Sequence, residues 1–201
     1  MKNSLIILVF FALGILLGYV DVLPRQVVDG NYSKYVLLVL MFLVGFSVAI
    51  DSKKTRFVKS IDLKVFISPV VCIVGTYLGC FVLSLFINEL SLIDLLTVGS
   101  GFAYYSLSSI LIAEAGHEKL AVIALLANIL REISTLLFAP LMVKYFGKLA
   151  PIVSGGATSM DTSLPIITQT SGKEFVFIAI INGIVLEICV PLFVSLFLAV
   201  G

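Results

Sequence analysis

A polar, glycine-led run lies between two strongly apolar stretches at Gly155–Pro165, which reads GGATSMDTSLP. Because 60% of the chain is apolar and only 12% is charged, the flanking stretches are predicted to be membrane helices. Irregular polar backbone at bilayer depth is tolerated only where protein buries it or where it lines a watery cavity. Interrupted helices of this kind are typical of substrate and ion sites in secondary transporters, so the run predicts a binding site around Asp161.

Seven segments are long and apolar enough, or nearly so, to cross a bilayer core, which needs about 20 residues per helix. They are 3–20, 34–50, 64–87, 92–115, 119–145, 150–169 and 174–199. Gly, Ser and Thr interrupt the fourth and the sixth segments, whereas the other five are continuous. We therefore predict an all-α polytopic membrane protein with a single domain over 1–201. Three continuous helices would lie within 1–90, and a core of broken helices within 91–201.

The loop at 51–64 carries five Lys or Arg residues and is predicted to be cytoplasmic by the positive-inside rule. Two spans precede it, so the N-terminus is also predicted to be cytoplasmic, with 5–20 interpreted as a retained helix rather than a signal peptide. If all seven segments cross, the C-terminus is outside and Lys144 and Lys148 are external, against the rule. A re-entrant broken segment would change these later assignments.

A single constant offset along the sequence aligns two parts of the chain, which predicts an internal repeat. Each unit is a broken segment followed by a long helix with a central Asn. Such repeats are typical of transporters and are often inverted, although two full crossings per unit would make this one parallel. Gly101, Ala103, Ser108, Ser109, Ile112 and Asn128 align with Gly155, Ala157, Thr162, Ser163, Ile166 and Asn182.

Three carboxylates are predicted near the bilayer midplane, namely Glu132, Asp161 and Glu187, from three consecutive segments. A charged group there costs roughly 2.5–3.5 kcal/mol on insertion scales, which indicates a function. Arg131 is the one basic residue at that depth, so the set is formally acidic and suits a cation or a proton. Because helix neighbours do not face each other, Arg131 is predicted to pair with a carboxylate or carbonyl of another segment.

Polar residues around Asp161 supply the remaining candidates. Hydroxyls donate and accept hydrogen bonds, and glycines permit close approach. Asn128 lies one turn before Glu132 and is placed to hydrogen-bond it. The predicted substrate and proton site comprises Asp161, Glu132, Asn128, Gly155, Gly156, Thr158, Ser159, Thr162, Ser163, Ser106, Ser108 and Ser109, with Arg131, Glu187 and Asn182 as secondary candidates. Small-residue helix packing explains 99–109 equally well, and a polar plug beside a proline kink explains Glu187 equally well.

No cofactor, metal or nucleic-acid site is predicted. The three cysteines fall inside apolar spans and are interpreted as buried hydrophobes, and His117 lies in a loop without a ligand-spaced partner. No basic patch is interleaved with aromatic residues. An enzyme is not predicted, because the chain has no HExxH motif and the membrane serines have no positioned base.

The stretches GFAYYSLSSILIAEAG, ALLANILREI and GGATSMDTSLPIIT resemble the lysine exporter LysO family of bacteria and archaea. The resemblance implies export of L-lysine, and of its analogue thialysine, across the inner membrane through essential carboxylates. By motif these are Asp161 and Glu132. Typical members carry a further N-terminal membrane portion that this sequence lacks, which implies either a homodimer or a small membrane partner.

Lysine is a cation, and a membrane potential negative inside opposes its exit by about 2.3 kcal/mol per 100 mV. Export must therefore be coupled, and we predict lysine/proton antiport in which Asp161 and Glu132 bind the ammonium group or protons in alternation. Two alternatives remain open. One is a monovalent cation/proton antiporter, and the other is a non-transporting membrane subunit of a two-component complex.

Overall fold

The computed structural model describes residues 63–87 and 89–201, together with seven isolated positions between residues 9 and 42. Regular secondary structure within the described residues is entirely helical, with seven α-helices and three short 3₁₀ helices. This confirms the predicted all-helical fold class for that part of the chain. The predicted spans 3–20 and 34–50 and most of the basic loop lie outside the described residues.

Three of the helices are long and apolar enough to cross a bilayer. In chain order the α-helices are α1 Ile67–Ser84, α2 Leu92–Gly99, α3 Tyr105–Glu114, α4 Glu118–Phe146, α5 Ala150–Gly155, α6 Leu164–Ser171 and α7 Val176–Val200. The 3₁₀ helices are Leu63–Phe66, Gly156–Met160 and Lys173–Phe175. The spanning helices are α1, α4 and α7 with its preceding 3₁₀ turn, and they coincide with the predicted continuous spans after residue 63.

Both remaining segments are interrupted near their centres. A turn over residues 100–104 separates α2 from α3, and a 3₁₀ helix followed by a turn separates α5 from α6. Phe102, Ala103 and Gly156 have positive φ angles of 42°, 73° and 61°. These angles lie outside the right-handed helical region, so neither helix can continue through its break.

Each interrupted segment begins and ends at the same end of the helix bundle. Residues within 87–94 and within 116–123, which flank α2 and α3, line one cavity of about 660 Å³. At the opposite end, Lys148 precedes α5 and Glu174 follows α6, and their Nζ and Oε1 atoms form an ion pair of 3.0 Å. The segments therefore enter from opposite ends and fold back. In the described part of the chain, only α1, α4 and α7 cross.

Aromatic packing surrounds the first break. The Phe102 ring is fully buried and lies 5.8 Å from the Tyr77 ring of α1 and 6.2 Å from the Phe193 ring of α7. The Tyr77 hydroxyl hydrogen-bonds Ser100 Oγ at 3.0 Å. Protein side chains thus bury the non-helical backbone, as its position within the bilayer requires.

The two breaks touch each other and are held by one asparagine each. Ala157 N–H donates to Phe102 O at 2.8 Å.

Asn128 of α4 donates through Nδ2 to Val98 O at 3.2 Å and accepts Ala103 N–H at 2.7 Å. Asn182 of α7 makes the corresponding contacts to the second break, donating to Ile152 O at 3.3 Å and Gly156 O at 2.9 Å. These bonds occupy backbone groups that the missing helical turns leave unpaired. The amide of Asn128 therefore bonds the backbone of the first break. It does not bond Glu132, the partner predicted from the sequence.

Candidate functional site

Asp161 and Glu132 come together where the second break packs against α4. Asp161 directly follows the 3₁₀ helix, and its Oδ1 accepts the N–H of Thr162 at 2.6 Å and the hydroxyl of Thr162 at 3.1 Å. Glu132 of α4, a residue that is only 8% exposed, lies close enough to Thr162 for the two side chains to interact electrostatically. Thr162, whose hydroxyl has a single hydrogen to donate, therefore lies beside two carboxylates.

Glu187 and two tyrosines complete the acidic cluster. Glu187 of α7 is half-buried and lies within electrostatic range of Asp161 and of the hydroxyl of Tyr104. Tyr105 lies within electrostatic range of Glu132 and Asp161. Residues of α4, α7 and both breaks thus converge on one region, as the predicted depth of the three carboxylates requires.

The other hydroxyls of the second break are used by its own backbone. Thr158 Oγ1 donates to Gly155 O at 2.8 Å and lies 3.1 Å from Ser163 Oγ. Ser159 Oγ contacts Gly156 O at 2.7 Å and Ala179 O at 2.8 Å. All three hydroxyl residues are buried, so they hold the irregular backbone that positions Asp161.

The three serines of the first break differ in how far they are buried. Ser108 is fully buried, and its hydroxyl contacts Tyr104 O at 2.9 Å, which agrees with the small-residue packing alternative. Ser109 is half-buried and its Oγ donates to Ser106 O at 3.2 Å, while Ser106 is exposed. Of the three serines, Ser106 is the one whose side chain is open.

Arg131 lies away from the acidic cluster and pairs with carbonyls, the second of its two predicted partner types. Its Nε donates to Ser154 O at 2.9 Å and one Nη donates to Val153 O at 3.1 Å. The other contacts are Thr76 Oγ1 and Cys72 Sγ, each at 3.0 Å. The guanidinium thus caps the carbonyl end of α5, where a cation is favourable.

Sequence reasoning missed the α1 side of this contact. Cys72 and Thr76 lie one helical turn apart and therefore share a face of α1. That spacing was a signal for a polar contact within an apolar helix. The same residues line a cavity of about 710 Å³ between α1, α4 and α5 that also exposes Arg131.

No set of three His, Cys, Asp or Glu side chains is grouped closely enough to hold a metal ion within residues 63–87 and 89–201. Within the acidic cluster, Asp161 and Glu132 are both neighbours of Thr162.

Helices long and apolar enough to span a membrane, together with two interrupted segments that meet beside carboxylates, are features typical of secondary transporters. The sequence profile of the lysine exporter LysO family matches residues 8–198, and the chain belongs to this family.

Two curated proteins illustrate the relationship. The lysine exporter LysO of Escherichia coli is 30% identical over 167 residues, which cover 83% of this chain and 55% of that protein. The chain thus spans about half the length of this relative. A protein of Haemophilus influenzae, named as a candidate lysine exporter, is 31% identical over 188 residues, which cover 92% of this chain and 93% of that protein. No solved structure matches the chain.

Proposed function

We propose that this chain exports L-lysine, and analogues such as thialysine, from the cytoplasm by exchange for protons at the acidic cluster. The observation that carries the proposal is that two carboxylates, Asp161 and Glu132, lie beside the single hydroxyl of Thr162. The names of the two relatives support lysine as the substrate.

The charge of the cluster selects a cation. Glu132, Asp161 and Glu187 make up the cluster, whereas Arg131 lies away from it and donates to the carbonyls of Val153 and Ser154. Within the described residues the cluster therefore holds acidic groups without a basic partner. An ammonium group or protons supply the missing positive charge, because an uncompensated charge is costly at this depth.

Competition between these two cations is the proposed coupling step. When Asp161 and Glu132 are both ionised, the Thr162 hydroxyl can donate to only one of them at a time. A proton or an ammonium group satisfies the other. Lysine leaves as protons arrive, and the pair returns to the other side of the membrane in its protonated form.

We infer the orientation of the chain from the positions of its basic residues. Lys144, Lys148 and Lys173 lie at the end where α4 finishes and α5 begins, and Val71 and Leu149 line one cavity there, so α1 begins at the same end. We assign this end to the cytoplasm, next to the basic loop at 51–64. Folding back of the broken segments thereby removes the violation that seven full crossings would create at Lys144 and Lys148.

Purified protein in liposomes tests the proposal. Labelled lysine should leave loaded vesicles faster when the outside is acidified, and imposing a sodium gradient instead should have no effect. Glu118→Gln serves as the control and should transport like the parent, because it removes an exposed carboxyl at the start of α4, far from the cluster. Lysine flux that is unaffected by pH would contradict antiport with protons, and flux of sodium instead of lysine would favour the monovalent cation alternative.

Membership of an exporter family describes a transporter and is consistent with a chain that is not an enzyme. The placement in the inner membrane is part of this proposal. The homodimer or small membrane partner implied by the family resemblance stays a prediction, as does the single-domain assignment.

A further inference from the structure

The two asparagines make one contact in common and differ in another. Asn128 donates to Val98 O and Asn182 donates to Ile152 O, and the offset that aligns the two repeat units relates both the asparagines and the acceptors. Asn128 Oδ1 accepts Ala103 N–H at 2.7 Å. Asn182 Oδ1 is buried and has no hydrogen-bond partner among the described residues, although the residue is fully enclosed.

The backbone donors at the two breaks explain the difference. Ala157 is the repeat counterpart of Ala103, so its N–H is the donor that would correspond to Asn182 Oδ1. That N–H instead crosses to Phe102 O of the other break at 2.8 Å. Gly156 O is the corresponding carbonyl of the second break, and here it is held by Asn182 Nδ2 at 2.9 Å.

We propose that Asn128 and Asn182 are paired positioning residues of an inverted repeat, and that the transporter alternates by exchanging their backbone partners. In the second state, Ala157 N–H binds Asn182 Oδ1 and Ala103 N–H crosses to Gly156 O. Asn128 Oδ1 then takes the unpartnered role. The inference rests on the proposed transport function, because a transporter needs two states to open its site to each side of the membrane in turn.

Three features support this exchange. The two broken segments enter from opposite ends of the bundle, which is the geometry of an inverted repeat. The present state has one cross-break bond, one bond to Asn128 Oδ1 and one bond from Asn182 Nδ2 to Gly156 O, and the second state has the repeat counterpart of each, so the number of exchanged hydrogen bonds is conserved. Phe102 and Gly156, which supply the exchanged carbonyls, both have positive φ angles in the present state, 42° and 61°.

The exchange also explains why Asn182 Oδ1 is buried without a partner, which by itself lowers the stability of the present state. A buried polar atom without a partner destabilises the state that contains it. In the second state Asn182 Oδ1 accepts Ala157 N–H, which accounts for its retention. The acidic cluster lies next to this contact, because Asp161 follows Gly156–Met160 and Glu132 lies one turn after Asn128.

A labelling experiment tests the inference without requiring transport. The full chain would carry Cys72→Ser, Cys80→Ser and Cys189→Ala, with one reporter cysteine at Ser106 or at Met160. These two positions are counterparts in the repeat, and in this structure Ser106 is exposed while Met160 is half-buried. Exchange of states should therefore exchange their reactivity toward a water-soluble maleimide.

The matched variants are Asn128→Ser and Asn182→Ser, which both lose the amide donor, while only the first loses an acceptor occupied in this state. Asn128→Ser should slow labelling at position 106 and speed it at position 160 by roughly two- to tenfold, the population change that corresponds to one hydrogen bond. Asn182→Ser should shift both reporters in the opposite direction. If one serine variant fails to insert, Asn128→Thr and Asn182→Thr provide the same comparison.

Shifts of the same sign in both variants, or no shift in either, would overturn the inference. The outcome is separate from the proposed substrate. Opposite shifts in a protein that transports no lysine would keep the exchange and reject lysine export, whereas proton-coupled lysine export with parallel shifts would keep the function and reject the exchange.

Discussion

At the scale of single residues, close approach of the two breaks depends on the absence of a side chain. Gly156 has a φ of 61°, and a Cβ built there would collide with the carbonyl oxygen of Phe102. Only glycine adopts such an angle at little cost and also permits this contact. The sequence predicted that Gly155 and Gly156 open the helix, and the structure assigns the close approach to Gly156 in particular.

Replacing Gly156 by alanine should disrupt the contact between the breaks. We expect Gly156→Ala to lose at least about 1–2 kcal/mol from the backbone angle alone, in addition to the collision with Phe102. Gly79→Ala is the control, because no atom lies within 4 Å of the added Cβ in α1. The measurement is the temperature at which each solubilised variant loses its monodisperse chromatographic peak. Equal temperatures for the two variants would contradict the packing described here.

Arg131 is expected to act through stability rather than through substrate binding. Arg131→Met would leave Val153 O and Ser154 O without their donors inside the membrane. Unfolding free energy should fall by roughly 1–3 kcal/mol, the cost of orphaned buried partners. Lys144→Met, at an exposed site, should change it little. The same thermal assay measures both. An Arg131→Met protein of normal stability that has lost lysine binding would instead return Arg131 to the substrate site.

At the scale of elements, the breaks were predictable and their folding back was not. Glycines, hydroxyls and Pro165 interrupt otherwise apolar stretches, which is a local signal. A stretch of about 20 residues suits one crossing or two half-helices equally well. A long-range contact, such as that between Lys148 and Glu174, distinguishes a folded-back segment from a full crossing. The local sequence pattern does not contain such a contact.

Cross-linking tests whether the second broken segment folds back. A short bismaleimide should join cysteines in a Lys148→Cys, Glu174→Cys double variant, since these side chains now meet at 3.0 Å. The variant should remain folded, because an exposed ion pair contributes only about 0.2–1 kcal/mol. Lys119→Cys with Glu174→Cys is the control pair, with its members at opposite ends of the bundle. Linkage of the control and not of the test pair would show that the segment crosses.

At the scale of the whole molecule, the acidic cluster was the predictable part of the site. Equal depth on consecutive segments was enough to bring Glu132, Asp161 and Glu187 together. The roles of the hydroxyls were harder to predict, because a serine or threonine looks the same in sequence whether it faces a substrate or its own backbone. Thr158 and Ser159 donate to backbone carbonyls, whereas the Thr162 hydroxyl donates to the carboxylate of Asp161.

The proposed orientation predicts which cysteines react from outside the cell. A membrane-impermeant maleimide applied to intact spheroplasts should label Lys119→Cys, next to the outward cavity, and should leave Lys148→Cys unlabelled until the membrane is opened. Both positions are exposed, so local burial does not account for a difference. The reverse pattern would show that the protein has the opposite orientation in the membrane. The proposed direction of transport would then also be reversed.

Lysine efflux from cells tests the central claim most directly. Cells that lack their own exporter would be loaded with lysine and would express the chain, Asp161→Asn or the exposed control Glu118→Gln. We expect efflux from the parent and from Glu118→Gln, and a loss of at least about tenfold from Asp161→Asn, because the amide cannot bind and release the proton. Equal efflux from the parent and a stably inserted Asp161→Asn would contradict the account.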